Sequence, residues 1–388
     1  MRTFFKTTYL APAGQEGFQP ADDRFLRVPL RLNREASEGK SSFIPTYDHY
    51  FQGIREVVCR DDKRLCNVVA TRLNKEIAPS QIEEIRIYAE KHGSDYHPAR
   101  VEVDTSKGGV SFVMNVAVTE RGRERLYREF GVLKELNRKK DSPYLPRAHF
   151  QDEVGTPGLS ERRSKNDPRL LMFLADWFEG YHEFHLSVDQ TDRHQKLVIW
   201  DRDREAHYLS DMQAAETYAQ ISTILTGYYD LQTFRQIFPW HHAAGDFILR
   251  TTEEANDVRL VTARQYAPMV SGMSIFDALV FFLLNLSLRT RLDRFDGVGA
   301  VAWAEDPCVG ATLKGFFQGL PLHGAEAAHF MTYLRQMDQE ELRDRFVALV
   351  DACNTRAPDM PTIRKNLRHH IRVFHRELQQ LLCIPGHH

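Results

Sequence analysis

The stretch "ARVEVDTSKGGVSFVMNVAVT", residues 99–119, running into "ERGRERLYREFGVLKELNRK", residues 120–139, decides the fold of this chain. The first part alternates apolar and polar residues around the break "DTSKGG". That pattern is a β-hairpin with a glycine-bearing tip, and its second arm can run into a third strand. The second part changes period and reads as an amphipathic helix.

Downstream, "YLPRAHFQDEV" and "LLMFLADWF" read as two more strands, separated by a polar loop with Pro and Gly at 154–169. After "EGYHEFHLS" (179–187) comes a short hairpin, "LVIWDRDREAHYLS", and then a long helix beginning near Met212. "IFPWHHAAGDFILR" (237–250) follows, then a strand "DVRLVTARQY" (257–266), and helices from Ser274 onward. Upstream, "APAGQEGFQP" and "NREASEGKSS" read as loops within residues 1–45. "YDHYFQGIREVV" and "LCNVVATRLNKEI" have helical spacing. "SQIEEIRIYAEKHG" is predicted to be a third helix, with Ser80 as N-cap, Glu83 three residues on and Gly93 at its end. Three regions result: a loop-rich then helical extension over 1–97, a small sheet with one helix over 98–180, and a mainly helical part over 181–388.

Composition narrows the classes. With 388 residues, 42% hydrophobic and 27% charged, the chain has the make-up of a globular protein with a sizeable core. A net charge of −2 supplies no global field for nucleic acid or an anionic membrane, and neither is expected as a partner. The basic run "TIRKNLRHHIRVFHREL" (362–378) has apolar residues at helical spacing and reads as a solvated helix face. The apolar segment "SIFDALVFFLLNLSL" (274–288) carries Asp277, is too short to span a bilayer, and reads as a buried helix. Five cysteines without paired spacing point to free thiols and a cytoplasmic location.

The order hairpin, strand, helix, two strands, linker, long helix, loop, strand and helices resembles the protein-kinase-like superfamily. The likeness is to the aminoglycoside- and choline-kinase-like phosphotransferases, over roughly residues 98–380. It implies an α+β, two-lobed fold with a small antiparallel-sheet N-lobe and a mainly helical C-lobe, ATP and Mg²⁺ as cofactors, and a set of site positions. The glycine-containing turn over the phosphates corresponds to Ser106, Lys107, Gly108 and Gly109. Glu129 stands where the family has its helix glutamate, and Asn115 where it has the strand lysine. A neutral amide cannot supply that lysine's charge. "LLMFLADWFEGYHEFHLS" corresponds to the strand and hinge between lobes. "AAGDFIL" puts Asp246 at the family's metal-binding asparagine and His241 at its catalytic aspartate, with His242 beside it. The next strand brings Thr262, Arg264 and Gln265 to the position of a magnesium-binding aspartate, and none is a carboxylate.

These departures imply a divergent, pseudokinase-like protein that binds a nucleotide or a protein partner as a regulator. Two other readings stay open. One is an atypical phosphotransferase or nucleotidyl transferase using His241 or His242, Asp246 and Arg264. The other is a metal-dependent enzyme with His241, His242 and Asp246 as ligands, joined by His182, Glu183 and His185. The bland account is that Trp240 and Phe238 anchor the loop and that Asp246 caps a turn.

Overall fold

In the computed structural model of the chain, residues 5–12, 17–30, 44–90, 96–140, 142–155, 169–200, 207–241, 245–252, 255–353 and 357–383 are described. The protein is α+β. It divides into two compact units, residues 1–142 with 146–179 and residues 143–145 with 180–388.

The first unit contains, in order, β1 (Lys6–Pro12), β2 (Phe18–Pro20), α1 (Asp23–Leu26), α2 (Tyr47–Val58), α3 (Asp62–Leu73), β3 (Ile82–Ala89), β4 (His97–Thr105), β5 (Gly108–Ala117), α4 (Glu120–Lys139), β6 (Ala148–Gly155) and β7 (Arg169–Asp176). The strands form one mixed seven-stranded sheet in the order β2-β1-β3-β4-β5-β7-β6, in which β1 runs parallel to β3 and the other pairs are antiparallel. Alternation gives each strand two faces. Ile85, Ile87, Val101, Val103, Phe112, Met114, Met172 and Leu174 form one core with Tyr50, Phe51, Ile54, Val57, Leu65 and Val69 of α2 and α3. On the opposite face, Phe173 of β7 meets Phe130 of α4 at 5.7 Å between ring centroids. Beyond α4 that face carries cross-strand polar contacts, with Arg86 paired to Glu102 at 3.0 Å and the Arg100 guanidinium 3.9 Å from the facing Tyr88 ring.

Two expectations change here. Residues 82–89 are a strand and not a helix: after a 3-10 turn at Pro79–Gln81 the chain extends between β1 and β4. Ile82 and Ile85 fit a helical face as well as a strand, but Ile85, Ile87 and Ala89 are buried in alternation. A free sheet edge needs hydrogen-bond partners, and that requirement overrides local spacing. Consequently residues 1–97 are not a separate helical extension. They supply three strands of the sheet and the helices that cover one face of it, and the division between units falls at 179/180. "NREASEGKSS" and most of the 154–169 loop lie outside the described residues. The hairpin β4–β5 and the helix α4 match the reading of 99–139 closely.

The second unit contains β8 (Glu183–Val188), β9 (Gln195–Trp200), β10 (His207–Tyr208), α5 (Asp211–Gly227), β11 (Arg235–Ile237), β12 (Phe247–Thr251), β13 (Asn256–Leu260), β14 (Tyr266–Pro268), α6 (Ile275–Thr290), β15 (Leu292–Arg294), β16 (Val301–Trp303), α7 (Pro307–Gly319), α8 (Gly324–Gln336), α9 (Gln339–Ala352) and α10 (Met360–Cys383). Strands pair as β10-β9-β8, β11-β14, β12-β13 and β15-β16. Of the segment read as strand and hinge, Arg169–Asp176 is strand β7, residues 177–182 contain a turn, and Glu183–Val188 is strand β8, in which Phe184 and Leu186 bury while the backbone pairs with β9. Ser274 caps α6 by accepting from the Asp277 N–H at 3.1 Å, and α6 is buried as expected from its all-round apolar sequence. Among the described residues no helix is long and apolar enough to cross a membrane.

α5 holds the β12–β13 hairpin by its polar side chains. Gln220 Nε2 donates to Asn256 O at 2.6 Å, Gln220 Oε1 accepts from Val258 N at 2.9 Å, and Asn256 Nδ2 donates to Gln213 O at 2.7 Å. The outer edge of β13 is thereby satisfied without a further strand. α5 is itself pressed onto α7: Ser222 Oγ donates to Thr312 O at 2.7 Å and Thr223 Oγ1 to Gly315 O at 3.0 Å. Side-chain hydroxyls reach the facing backbone because Gly315 has no Cβ to hold the helices apart.

Candidate functional site

Asn115 and Glu129 belong to the first unit, and His241, Asp246, Thr262 and Arg264 to the second; each group is described within its own unit. Asn115 alternates with Met114 and Val116, which face α2 and α3, so it lies on the α4 face of β5, opposite Phe173. It is 8% exposed. Glu129 on α4 is buried, and Tyr96 Oη donates to its Oε2 at 2.7 Å. Nothing in the sequence singles out Tyr96, because a phenol before a strand carries no motif.

The turn residues go elsewhere. Thr105 Oγ1 donates to Gly108 O at 2.7 Å, and Lys107 Nζ donates to Glu76 O at 2.6 Å. Lys75 Nζ in turn donates to Lys107 O at 2.9 Å, and Ser106 N to Gln81 O at 3.0 Å. Gly108, at φ +136°, closes the tip, with Gly109 paired to Asp104. Six steps of extended strand separate Gly109 from Asn115, about 20 Å. The expected phosphate turn, Ser106, Lys107, Gly108 and Gly109, is thus not brought together with Asn115 and Glu129. It fastens the hairpin tip to the residues after α3.

In the second unit the loop between β11 and β12 is built around Asp246, which is 1% exposed. Its Oδ2 accepts the His241 N–H at 2.8 Å and Arg264 Nη1 at 2.5 Å, and its Oδ1 accepts Arg264 Nη2. The backbone closes the same loop, with Val261 N donating to Asp246 O at 2.8 Å. Trp240 is buried edge-on to Phe247 at 5.7 Å, the anchoring role its type suggests. Phe238 is only half-buried, with the Arg289 guanidinium 5.8 Å from its ring. Thr262 is buried just beyond β13, and Arg264 reaches back 18 residues to Asp246. Arg264 was expected as a cation for phosphates; its fork is instead bidentate on a carboxylate of its own chain. His242 lies outside the described residues.

The His241 imidazole is held below its ordinary value by burial, with Arg289 adding to the effect against the pull of Asp246 and Asp359. Its neutral form is therefore favoured. Arg289 pairs with Asp359, a partner 70 residues away that no local pattern announces.

A second cluster borders the loop. An ideal Cβ on Gly245, at φ +64°, would lie 2.6 Å from Glu183 Oε1, so this left-handed glycine makes room for a carboxylate. His185 stands 3.9 Å from Glu183 and 3.4 Å from Asp293, and Asp293 Oδ2 also accepts the Leu186 N–H at 2.7 Å. His182 does not join them through its backbone, which pairs with Leu249. Burial works against a charge on His185, but Asp293 and Glu183 prevail and raise it to about 9. Because this value exceeds the ordinary 6.5, the ionised pair stabilises the fold fully below about pH 6.5, and that stabilisation is lost as pH rises through 9. The urea midpoint of the protein is expected to fall across this window relative to that of His185→Gln. Parallel pH profiles for the two proteins would remove the pair as the cause. Among the described residues no three His, Cys, Asp or Glu side chains are arranged to hold a metal ion.

No protein-family model matches the chain, and no curated protein does.

Proposed function

We propose that this chain is a divergent protein of the protein-kinase-like superfamily that lacks standard phosphotransferase activity and acts as a cytoplasmic, nucleotide- or protein-binding regulator. The observation that carries this reading is the Asp246–Arg264 pair. A magnesium ion in a nucleotide site takes one or two carboxylates together with phosphate oxygens. Both oxygens of Asp246 are occupied by a guanidinium, and Thr262 brings a hydroxyl where the family has a second carboxylate. The residues present do not fit that ion.

Element order supports the reading. The first unit has three consecutive antiparallel strands, a helix and two more strands, and the second has a helix, a loop and a hairpin followed mainly by helices. Glu129, at the family's helix glutamate, is engaged by the phenol of Tyr96, and Asn115 carries no charge to offer it.

A calorimetric titration of the metal-analysed protein with ATP, with and without Mg²⁺, tests this. Binding is expected to be absent or indifferent to Mg²⁺. Binding that strengthens with Mg²⁺, or transfer of labelled phosphate to any acceptor, would overturn it. One observation favours the second reading, an atypical ATP-dependent phosphotransferase acting on a small molecule: a neutral His241 is able to accept a substrate proton. The same phosphate-transfer measurement decides between the two.

A further inference from the structure

The basic run near the C-terminus forms a surface whose geometry is more specific than a solvated helix face. α10 buries Ile363, Ile371, Val373, Phe374, Leu378 and Leu382, which fixes its orientation. Its exposed side carries Arg364, Arg368, Arg372 and Arg376 at four-residue intervals, with Lys365 beside the first. Four residues of helix rise about 6 Å, so the guanidiniums form a row about 18 Å long.

Among the described residues no ion pair or hydrogen bond engages Arg364, Lys365, Arg368 or Arg372. Several helix arginines elsewhere are paired: Arg343 meets Glu340 and Asp344, Arg345 meets Glu341 and Asp277, and Arg123 meets Glu120. On α10 only Arg376 has such a partner, Glu377, while His369 turns to Asp306. Like charges four residues apart repel and weaken their own helix. The row is also not a consequence of general basicity, because the chain has a net charge of −2.

We propose that this face of α10 docks an acidic helical segment of a partner protein, whose carboxylates recur every four residues. Guanidinium forks bind carboxylates bidentately, and a helix with Asp or Glu at that interval repeats at the same pitch as the arginine row. The face favours this occupant over other polyanions. No Leu, Ile, Val, Phe, Tyr or Trp of α10 is exposed. Its one exposed ring, His369, is held by Asp306 at 2.9 Å, so it offers neither a row of free rings on which bases of a single strand can stack nor an exposed apolar side chain to enter a membrane interface. The inference stands apart from the kinase-like reading, since it uses neither Asp246 nor any nucleotide.

The test uses the full chain and a labelled helical peptide with Glu at every fourth position, read by fluorescence anisotropy at low and high salt. A scrambled peptide of the same composition, vesicles containing phosphatidylserine and a nucleic-acid duplex are run beside it. The spaced peptide is expected to bind about tenfold more tightly than the scrambled one, with an affinity that falls with salt. The triple variant Arg364→Glu, Arg368→Glu, Arg372→Glu should lose that binding, and the corresponding triple Gln variant should lose most of it. Both should melt at or above the wild-type temperature, because like-charge repulsion is relieved. Equal binding by the variants, no preference for spacing, or tighter capture by vesicles or duplex would overturn the proposal.

Discussion

Arg264→Ala is expected to destabilise the protein by about 3–5 kcal/mol, because it leaves a buried carboxylate without its counter-charge. Asp246 is 1% exposed, and Arg264 supplies two of the three side-chain hydrogen bonds that surround it. The cost belongs to the orphaned charge more than to the pair itself, and this has a second consequence. Asp246→Asn combined with Arg264→Ala should recover at least half of the loss, since an amide still accepts the His241 N–H and carries no charge to desolvate. Urea midpoints for the two single variants and the double variant at neutral pH check both statements. A small effect of Arg264→Ala alone would mean that Asp246 is not held as described, and the argument against a magnesium site would go with it.

Gly315→Ala should be nearly as damaging, about 3 kcal/mol, by overpacking. An ideal Cβ at Gly315 would lie 2.0 Å from the carbonyl oxygen of Ala219, and one at Gly319 would lie 2.5 Å from that of Thr223. The obstacles are backbone atoms of α5, so no rotamer change relieves them and the helices must separate. Separation also breaks the Ser222–Thr312 and Thr223–Gly315 hydrogen bonds. α5 carries the β12–β13 hairpin on Gln213 and Gln220, so the shift should reach the loop around Asp246. Thermal melting with hydrogen exchange of the Val258 and Val261 amides reads both parts. Unchanged exchange alongside a lowered melting temperature would confine the damage to the helix pair.

Much of the fold was legible because it is written in local periodicity. The hairpin at 97–117, the helix at 120–139, the capped buried helix after Ser274 and the amphipathic C-terminal helix follow from spacing, caps and turn residues within short windows. Loop chemistry was partly legible too: Asp246 closes its turn through its side chain, as its residue type suggests, and Trp240 anchors it. The candidate site was less legible. The same sequence signal that marks Arg264 as a cation near a phosphate marks it equally as a partner for Asp246, and only distance separates the two.

By itself the sequence determined element types wherever one period was unambiguous. Tertiary structure decided what spacing leaves degenerate. Residues 82–89 become a strand because β1 and β4 offer hydrogen bonds on both sides, and residues 183–188 become a strand because β9 does. It likewise decided which charges meet, as in Asp246 with Arg264, His185 with Asp293 and Arg289 with Asp359. A charge buried far from water must be neutralised by whatever the folded chain brings within a few ångströms, and sequence separation does not enter that energy.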